Sequence, residues 1–307
     1  MRNVLLFFFL ILSSAASVPA GAANIAVIVS ADVDAYQEAL RGFKETVDHR
    51  IVAEYDMEGD FDRGREILEE LRSEVKPDLI LAVGVWALQV IVSQPVDLPV
   101  VFTMVLNPPS ILGGQARNIT GASMNVPVDL SIKLLKQLDP ELRRVGVIYN
   151  RARTGYLVTQ AKVVAQEERI QLITRDVLSG KEAIQAVNSL YQDGTDIFWI
   201  LPDETVLAPK VIKYMLLFSY RNKIPLLGLS ERQAQMGALL SLSFGSSEDI
   251  GRQSAELSNA ILAGRAAGAI PFTTARTVKV TVNLKAAKKL GLEIPDSILA
   301  MADTVIR

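Results

Sequence analysis

Val145-Gly146-Val147-Ile148-Tyr149 is an unbroken apolar run, flanked on both sides by stretches of a different period. Before it, Pro127–Leu138 sets Val128, Ile132, Leu135 and Leu138 on one stripe and turns Asp129, Lys133 and Lys136 elsewhere. That is the spacing of an amphipathic helix. After it, Tyr156–Glu168 has helical spacing again. A strand apolar on both faces, set between two amphipathic helices, is the unit of a parallel sheet covered by helices on both sides.

The same unit recurs along the chain. Further apolar runs are Ile25–Val29, Leu79–Val83, Val100–Val105, Ile197–Leu201 and Pro225–Leu229, and helical patterns occupy Ala35–Val47, Asp62–Val75, Lys181–Tyr191, Thr205–Tyr220 and Glu248–Leu262. Alternation of this kind predicts a doubly wound α/β fold. The pattern breaks at Asn107–Asn125, where Asn107-Pro108-Pro109-Ser110, Gly113-Gly114 and Gly121 interrupt it. A βαβαβα series precedes the break and another follows, so two lobes are expected, joined by a crossover near Ile119–Ser123. The Gly-, Ala- and Thr-rich stretch Gly264–Thr277 is a candidate further crossing ahead of the strand Val278–Val282. Beyond it, Asn283 reads as an N-cap, Leu284–Leu290 as a short helix, Gly291 as its left-handed C-terminal residue and Pro295 as the stop.

Arg2 followed by the apolar run Val4–Leu12 and by small Ala20, Ala22 and Ala23 reads as a secretory signal peptide. Its apolar core has nine residues, against the roughly 20 that an α-helix needs to span a bilayer. Cleavage is expected near Ala22 or Ala23, giving a signal peptide over 1–23 and a periplasmic mature chain of about 280 residues, enough for two compact units. The 307-residue chain has no cysteine, which rules out lipidation on cysteine, disulfides and a thiol nucleophile. Loss of Arg2 takes the formal net charge from −2 to −3, which argues against nucleic acid as a partner.

In open α/β sheets ligands sit beyond the carboxyl ends of the strands. In the first lobe those ends offer Ser30, Asp32 and Tyr36, then Val85 and Trp86 after Gly84, then Thr103 and Asn107, with Ser123 at the crossover. In the second they offer Asn150, Arg151, Thr154 and Tyr156, then Asp203, Glu204 and Thr205, then Ser230 and Glu231. Arg151 and Arg153 suit a carboxylate or phosphate, and Asp32, Asp203 or Glu231 a cationic group, a set that a small zwitterion would satisfy; solvated loop charges are the plain alternative. Trp199, inside a strand run, reads as core. Trp86 reads either as a face for stacking on a ligand or as packing.

Catalysis has little to work with. His49, the single histidine, falls at the amino edge of the sheet, away from the expected site. With no cysteine, a zinc site would need mostly carboxylates. Neither a Walker phosphate loop nor a Gly-x-Ser-x-Gly elbow is present. Asp203 and Glu204 are adjacent in a loop, poorly placed as a glycosidase pair. No enzyme activity, cofactor or metal is expected.

Val280-Thr281-Val282-Asn283-Leu284-Lys285-Ala286-Ala287-Lys288-Lys289-Leu290-Gly291-Leu292-Glu293-Ile294-Pro295, with Ser297–Ala300 and Ala302-Asp303, resembles the C-terminal signature of the ABC-transporter substrate-binding family whose studied members bind aromatic amino acids. Ile119–Ser123, Gly146–Asn150, Gly237–Leu239 and Asp249–Gln253 agree with it in order. The resemblance implies a type I periplasmic-binding-protein fold with three hinge crossings: lobe I from 24–119 plus 245–277, lobe II from 120–244 plus 278–307. It also implies a partner permease and ATPase, for a monomeric protein that captures a small molecule in the interlobe cleft. The chain departs from the family's usual ligand positions at Arg151–Tyr156, at Leu201–Glu204 and at Leu229–Glu231. Two other outputs fit the same residues: an exported sensing subunit for a membrane receptor or kinase, and an exported α/β enzyme.

Overall fold

A computed structural model describes residues 21–114 and 117–307; most of the expected signal peptide, residues 1–20, lies outside the described residues. In chain order the strands are β1 (Asn24–Val29), β2 (Arg50–Asp56), β3 (Leu79–Val83), β4 (Val100–Val105), β5 (Ile119–Ser123), β6 (Arg144–Tyr149), β7 (Gln171–Asp176), β8 (Ile197–Ile200), β9 (Leu226–Gly228), β10 (Leu240–Phe244), β11 (Val278–Asn283) and β12 (Thr304–Ile306). The α-helices are α1 (Asp34–Thr46), α2 (Phe61–Glu70), α3 (Val85–Ser93), α4 (Pro109–Leu112), α5 (Val128–Leu138), α6 (Arg151–Glu167), α7 (Gly180–Gln192), α8 (Glu204–Leu207), α9 (Pro209–Asn222), α10 (Glu231–Met236), α11 (Ser247–Leu262), α12 (Leu284–Leu290) and α13 (Asp296–Met301).

The strands form two sheets, one in the order β2-β1-β3-β4-β5 and the other β12-β11-β10-β9-β8-β6-β7. All pairs are parallel except β10 with β11. The central strands are apolar on both faces because both faces are covered. In β1, Ala26 and Ile28 join one core layer, whereas Ile25, Val27 and Val29 join the layer on the opposite face. In β6, Val145, Val147 and Tyr149 face one layer and Ile148 the other.

The elements start and stop for local reasons. Asn283 caps α12 by accepting the Ala286 N–H at 2.8 Å, and Gly291 closes it at φ 76°, the left-handed conformation that costs glycine least. The helix expected over Thr205–Tyr220 is two helices, because Ala208 adopts an extended ψ of 132° ahead of Pro209, the first residue of α9. α3 is almost wholly apolar, which hides helical periodicity. The helical pattern expected to run to Val75 ends in a π-helical turn, Leu71–Val75, closed by Lys76 at φ 48°. Among the described residues no helix is long and apolar enough to cross a membrane.

The chain passes between the sheets three times, and the crossing segments are hydrogen-bonded to one another. β5 pairs with β4 throughout Ile119–Ser123, so the first sheet extends past residue 119. Ser123 N–H and Oγ–H both donate to Thr273 O, at 2.9 and 2.8 Å, Ala275 N–H donates to Asn125 O at 2.9 Å, and Gly245 N–H to Thr277 O at 2.7 Å. The second crossing delivers α11, which follows β10 of the second sheet, onto α1 of the first. The two helices pack backbone against backbone. A Cβ on Gly42 would fall on the Glu248 carbonyl, and one on Gly251 on the Ala39 carbonyl.

Gly251→Ala is therefore expected to destabilise the protein by about 3 kcal/mol through overpacking. Gly155→Ala, whose added methyl meets the flexible Arg151 side chain at 3.3 Å and the Tyr149 ring at an ordinary 4.0 Å, should be neutral or stabilise α6 by up to about 1 kcal/mol. Urea unfolding curves of the two variants test the contrast.

Candidate functional site

Beyond the carboxyl ends of β8, β9 and β10, beside the hinge, lies a cavity of ≈ 280 Å³. Leu201 and Pro202 reach it from β8, Gly228, Leu229 and Ser230 from β9, and Leu242, Ser243 and Phe244 from β10. Met124, Asn125 and Val126 of the first crossing and Val128 and Ser131 of α5 line another side, and Leu106, after β4, comes from the first lobe. Leu157, Trp199, Leu207 and Gln233 complete the lining. The wall is dominated by hydrocarbon, the usual character of a small-molecule pocket.

A polar network adjoins this cavity. Asp203 is fully buried, and its carboxylate accepts the Asn150 N–H at 2.6 Å, the Thr154 hydroxyl at 2.5 Å and the Thr205 N–H at 2.9 Å. Asn150 caps α6 through the Ala152 N–H at 3.0 Å, and Asp203 caps α8. One carboxylate thus ties the starts of two helices together, and three donors offset the cost of burying its charge. Asn107, at φ 53°, reaches across from the first lobe. Its Nδ2 donates to Arg153 O at 3.2 Å and Pro202 O at 3.3 Å, and its N–H to Asn125 Oδ1 at 2.9 Å. Asn125 Nδ2 in turn donates to Tyr156 Oη at 3.0 Å. Burial pushes the Tyr156 phenol up to about 12, opposed in part by its bond to Asn125.

Of the residues expected at the site, Ser230 lines the cavity, while Asn107, Asn150, Thr154, Tyr156, Asp203 and Thr205 form the adjoining network. Arg151 is exposed and bound to Asp176, through its N–H at 3.0 Å and its Nε at 2.9 Å. Arg153 pairs with Glu204. Glu231 is exposed and accepts from Gln235 at 3.0 Å. Each of these charges, expected to meet a ligand, has a partner within the chain. Ser123 is committed to the hinge.

The first-lobe candidates gather at the start of α3. Ser30 is buried, its hydroxyl donating to Val83 O at 2.8 Å and accepting the Ala87 N–H at 2.9 Å. Tyr36 packs beside it against Gly84, its phenol raised by burial and eased down by a bond to the Val85 backbone. Trp86 stacks over Gly59 and tilts against Phe61 with ring centroids 6.0 Å apart. Asp32 is exposed and accepts from Gln37. Thr103 is wholly buried in β4. His49 accepts the Ala23 N–H at 3.3 Å. Among the described residues no cluster of His, Cys, Asp or Glu could hold a metal ion.

Trp199 belongs to the core and also forms cavity wall. Sequence reading missed its second role, together with Leu157, Leu242 and Phe244. The one signal for it was that Trp199 sits two residues before Leu201-Pro202, where the strand gives way to a loop.

A family model described as ABC transporter substrate binding protein matches residues 24–306. The tyrosine-binding protein of Clostridioides difficile (strain R20291) is 25% identical over 225 residues, covering 71% of this chain and 64% of that protein, less than two thirds of its length. A conserved domain protein from Vibrio cholerae O1 biovar eltor has a solved structure similar to this one at TM-score 0.63 and 26% identity, covering 93% of this chain and 100% of that one. The ligand-free, open structure of a Clostridium difficile substrate binding protein with adhesive properties gives TM-score 0.68 at 21% identity, covering 92% and 99%.

The Tyr156 environment has a measurable consequence. Its folded-state pKa of about 12 lies above the ordinary 10.0, so the stability it contributes is complete below pH 10 and is lost as pH rises toward 12. Chemical denaturation at pH 9 and pH 11 should show a fall that is smaller, by about 1 kcal/mol, in Tyr156→Phe. An equal fall in both proteins would show that Tyr156 is not protected.

Proposed function

Since the chain belongs to the ABC transporter substrate binding protein family over residues 24–306, we propose that it captures a small molecule between its two lobes and presents it to an importer's permease and ATPase. It is exported on its N-terminal signal peptide and works as a monomer in the periplasm. Lobe I comprises the first sheet with α11, and lobe II the second sheet with the C-terminal helices.

The observation that carries this reading is the hydrocarbon-lined cavity of ≈ 280 Å³ beside the three crossings, walled by both the hinge and the strand ends. A guest there touches segments that move relative to one another when the lobes open. Its contacts are complete only when they are closed, so binding shifts the population toward the closed form. The Asn107 bonds to Arg153 and Pro202 link the first lobe to the second at the cavity's edge. The body of the ligand is apolar or aromatic, in keeping with the lining and with a relative named for binding tyrosine.

Native mass spectrometry of the freshly purified mature chain should reveal a non-covalently retained small molecule. Leu207→Phe, which fills the cavity from a half-buried position, should release it, whereas Arg151→Ala, at an exposed ion pair, should not. Retention in Leu207→Phe would place the guest elsewhere and overturn the reading.

A further inference from the structure

We infer that the cavity selects an uncharged guest, an apolar body with one hydrogen-bonding end, over a zwitterion such as an amino acid. This rests on the cavity being the ligand site. Among the described residues, none of the side chains lining it is ionisable. The charges nearest in sequence are paired within the chain or exposed. Asp203, next to the lining residue Pro202, already accepts from Asn150, Thr154 and Thr205. Glu204 pairs with Arg153, and Glu231 and Arg232, between the lining residues Ser230 and Gln233, are exposed. Asp129, in the first turn of α5, pairs with Lys133 at 3.1 Å. An ammonium or carboxylate entering this space would give up its water without gaining a counter-charge, the costliest form of burial.

The polar side chains that line the cavity are neutral, and four of them, Ser131, Ser230, Gln233 and Ser243, have donor hydrogens with no acceptor in the chain among the described residues. Gln233 Oε1 accepts the Leu229 N–H at 2.7 Å, which fixes the amide and leaves its Nε2 hydrogens to donate. Ser230 Oγ accepts the Gln233 N–H at 3.3 Å, which leaves its hydroxyl hydrogen to donate. Ser230 and Gln233 belong to the β9–α10 junction and form one polar end, Ser131 of α5 and Ser243 of β10 add two hydroxyls, and Trp199, Leu157, Leu242 and Phe244 supply apolar wall. Neutral donors suit a carbonyl, amide or hydroxyl oxygen. Nothing in the lining accepts from an ammonium with a full negative charge.

Four probes with one phenol body separate charge from shape: 3-(4-hydroxyphenyl)propanamide (neutral), L-tyrosine (zwitterion), tyramine (cation) and 3-(4-hydroxyphenyl)propanoate (anion). Isothermal titration calorimetry at pH 7 on protein freed of any retained molecule should show the amide binding at least roughly tenfold more tightly than each charged probe. Gln233→Leu should weaken the amide and leave the others little changed. A charged probe that binds as tightly as the amide, or absence of binding by all four, overturns the inference. Cavity-filling Ser243→Leu and Leu207→Phe then tell the two claims apart. If a charged probe binds and these variants abolish it, the site stands and the charge selectivity falls; if they leave binding intact, the site falls as well.

Discussion

The crossing of α1 and α11 is the contact on which the rest of the molecule depends. α11 follows a strand of the second sheet yet lies on the first, and it gets close enough only because Gly42 and Gly251 remove side chains at the points where each backbone meets the other. Arg41 and Arg252 add ion pairs with Glu248 and Glu45 around the crossing, but these are surface pairs and contribute little. Once α11 is docked there, the chain must return, and it does so as β11, which enters beside β10 in the opposite direction. The single antiparallel pair of the second sheet is thus a consequence of where α11 is anchored. The same detour lays 273–277 against 121–125 and Gly245, giving a hinge of adjoining segments and, next to it, the cavity.

The polar and apolar parts of the site do different jobs. The Asp203 network directs its three hydrogen bonds to the starts of α6 and α8, and a buried carboxylate held by three donors fixes local geometry. The cavity beside it is shaped by that rigidity while remaining free of charge itself. Asn107, in a left-handed conformation at the end of the first lobe's loop, connects the two regions by binding carbonyls of the opposite lobe.

The buried strands were legible because their environment leaves a plain trace in the sequence. β3 and β4 are buried at every position and apolar at all but Thr103, and their bounds could be read directly. β2 and β7 are edge strands with half-exposed residues, so they carry no such run, and α3 is too uniformly apolar to display a helical stripe. The α12 boundary was readable because Asn283 and Gly291 have specific capping chemistry. The site was harder for a physical reason. Polar loop residues such as Asn150, Arg151 and Asp203 look like ligand contacts, but loops and helix ends need polar groups for their own satisfaction. Trp199 and Leu242 look like core, since a strand residue facing a cavity and one facing a helix obey the same pattern. Only the three-dimensional arrangement separates those cases.

Because the chain has no cysteine, spin labels can be attached at two chosen places: Val52→Cys in β2 and Val163→Cys in α6, both exposed. The distance distribution between them, measured by pulsed dipolar spectroscopy, reports lobe separation directly. Protein carrying its co-purified small molecule should give one narrow distribution, and protein stripped by unfolding and refolding a broader one with a different mean. Identical distributions in the two states would contradict closure around a guest.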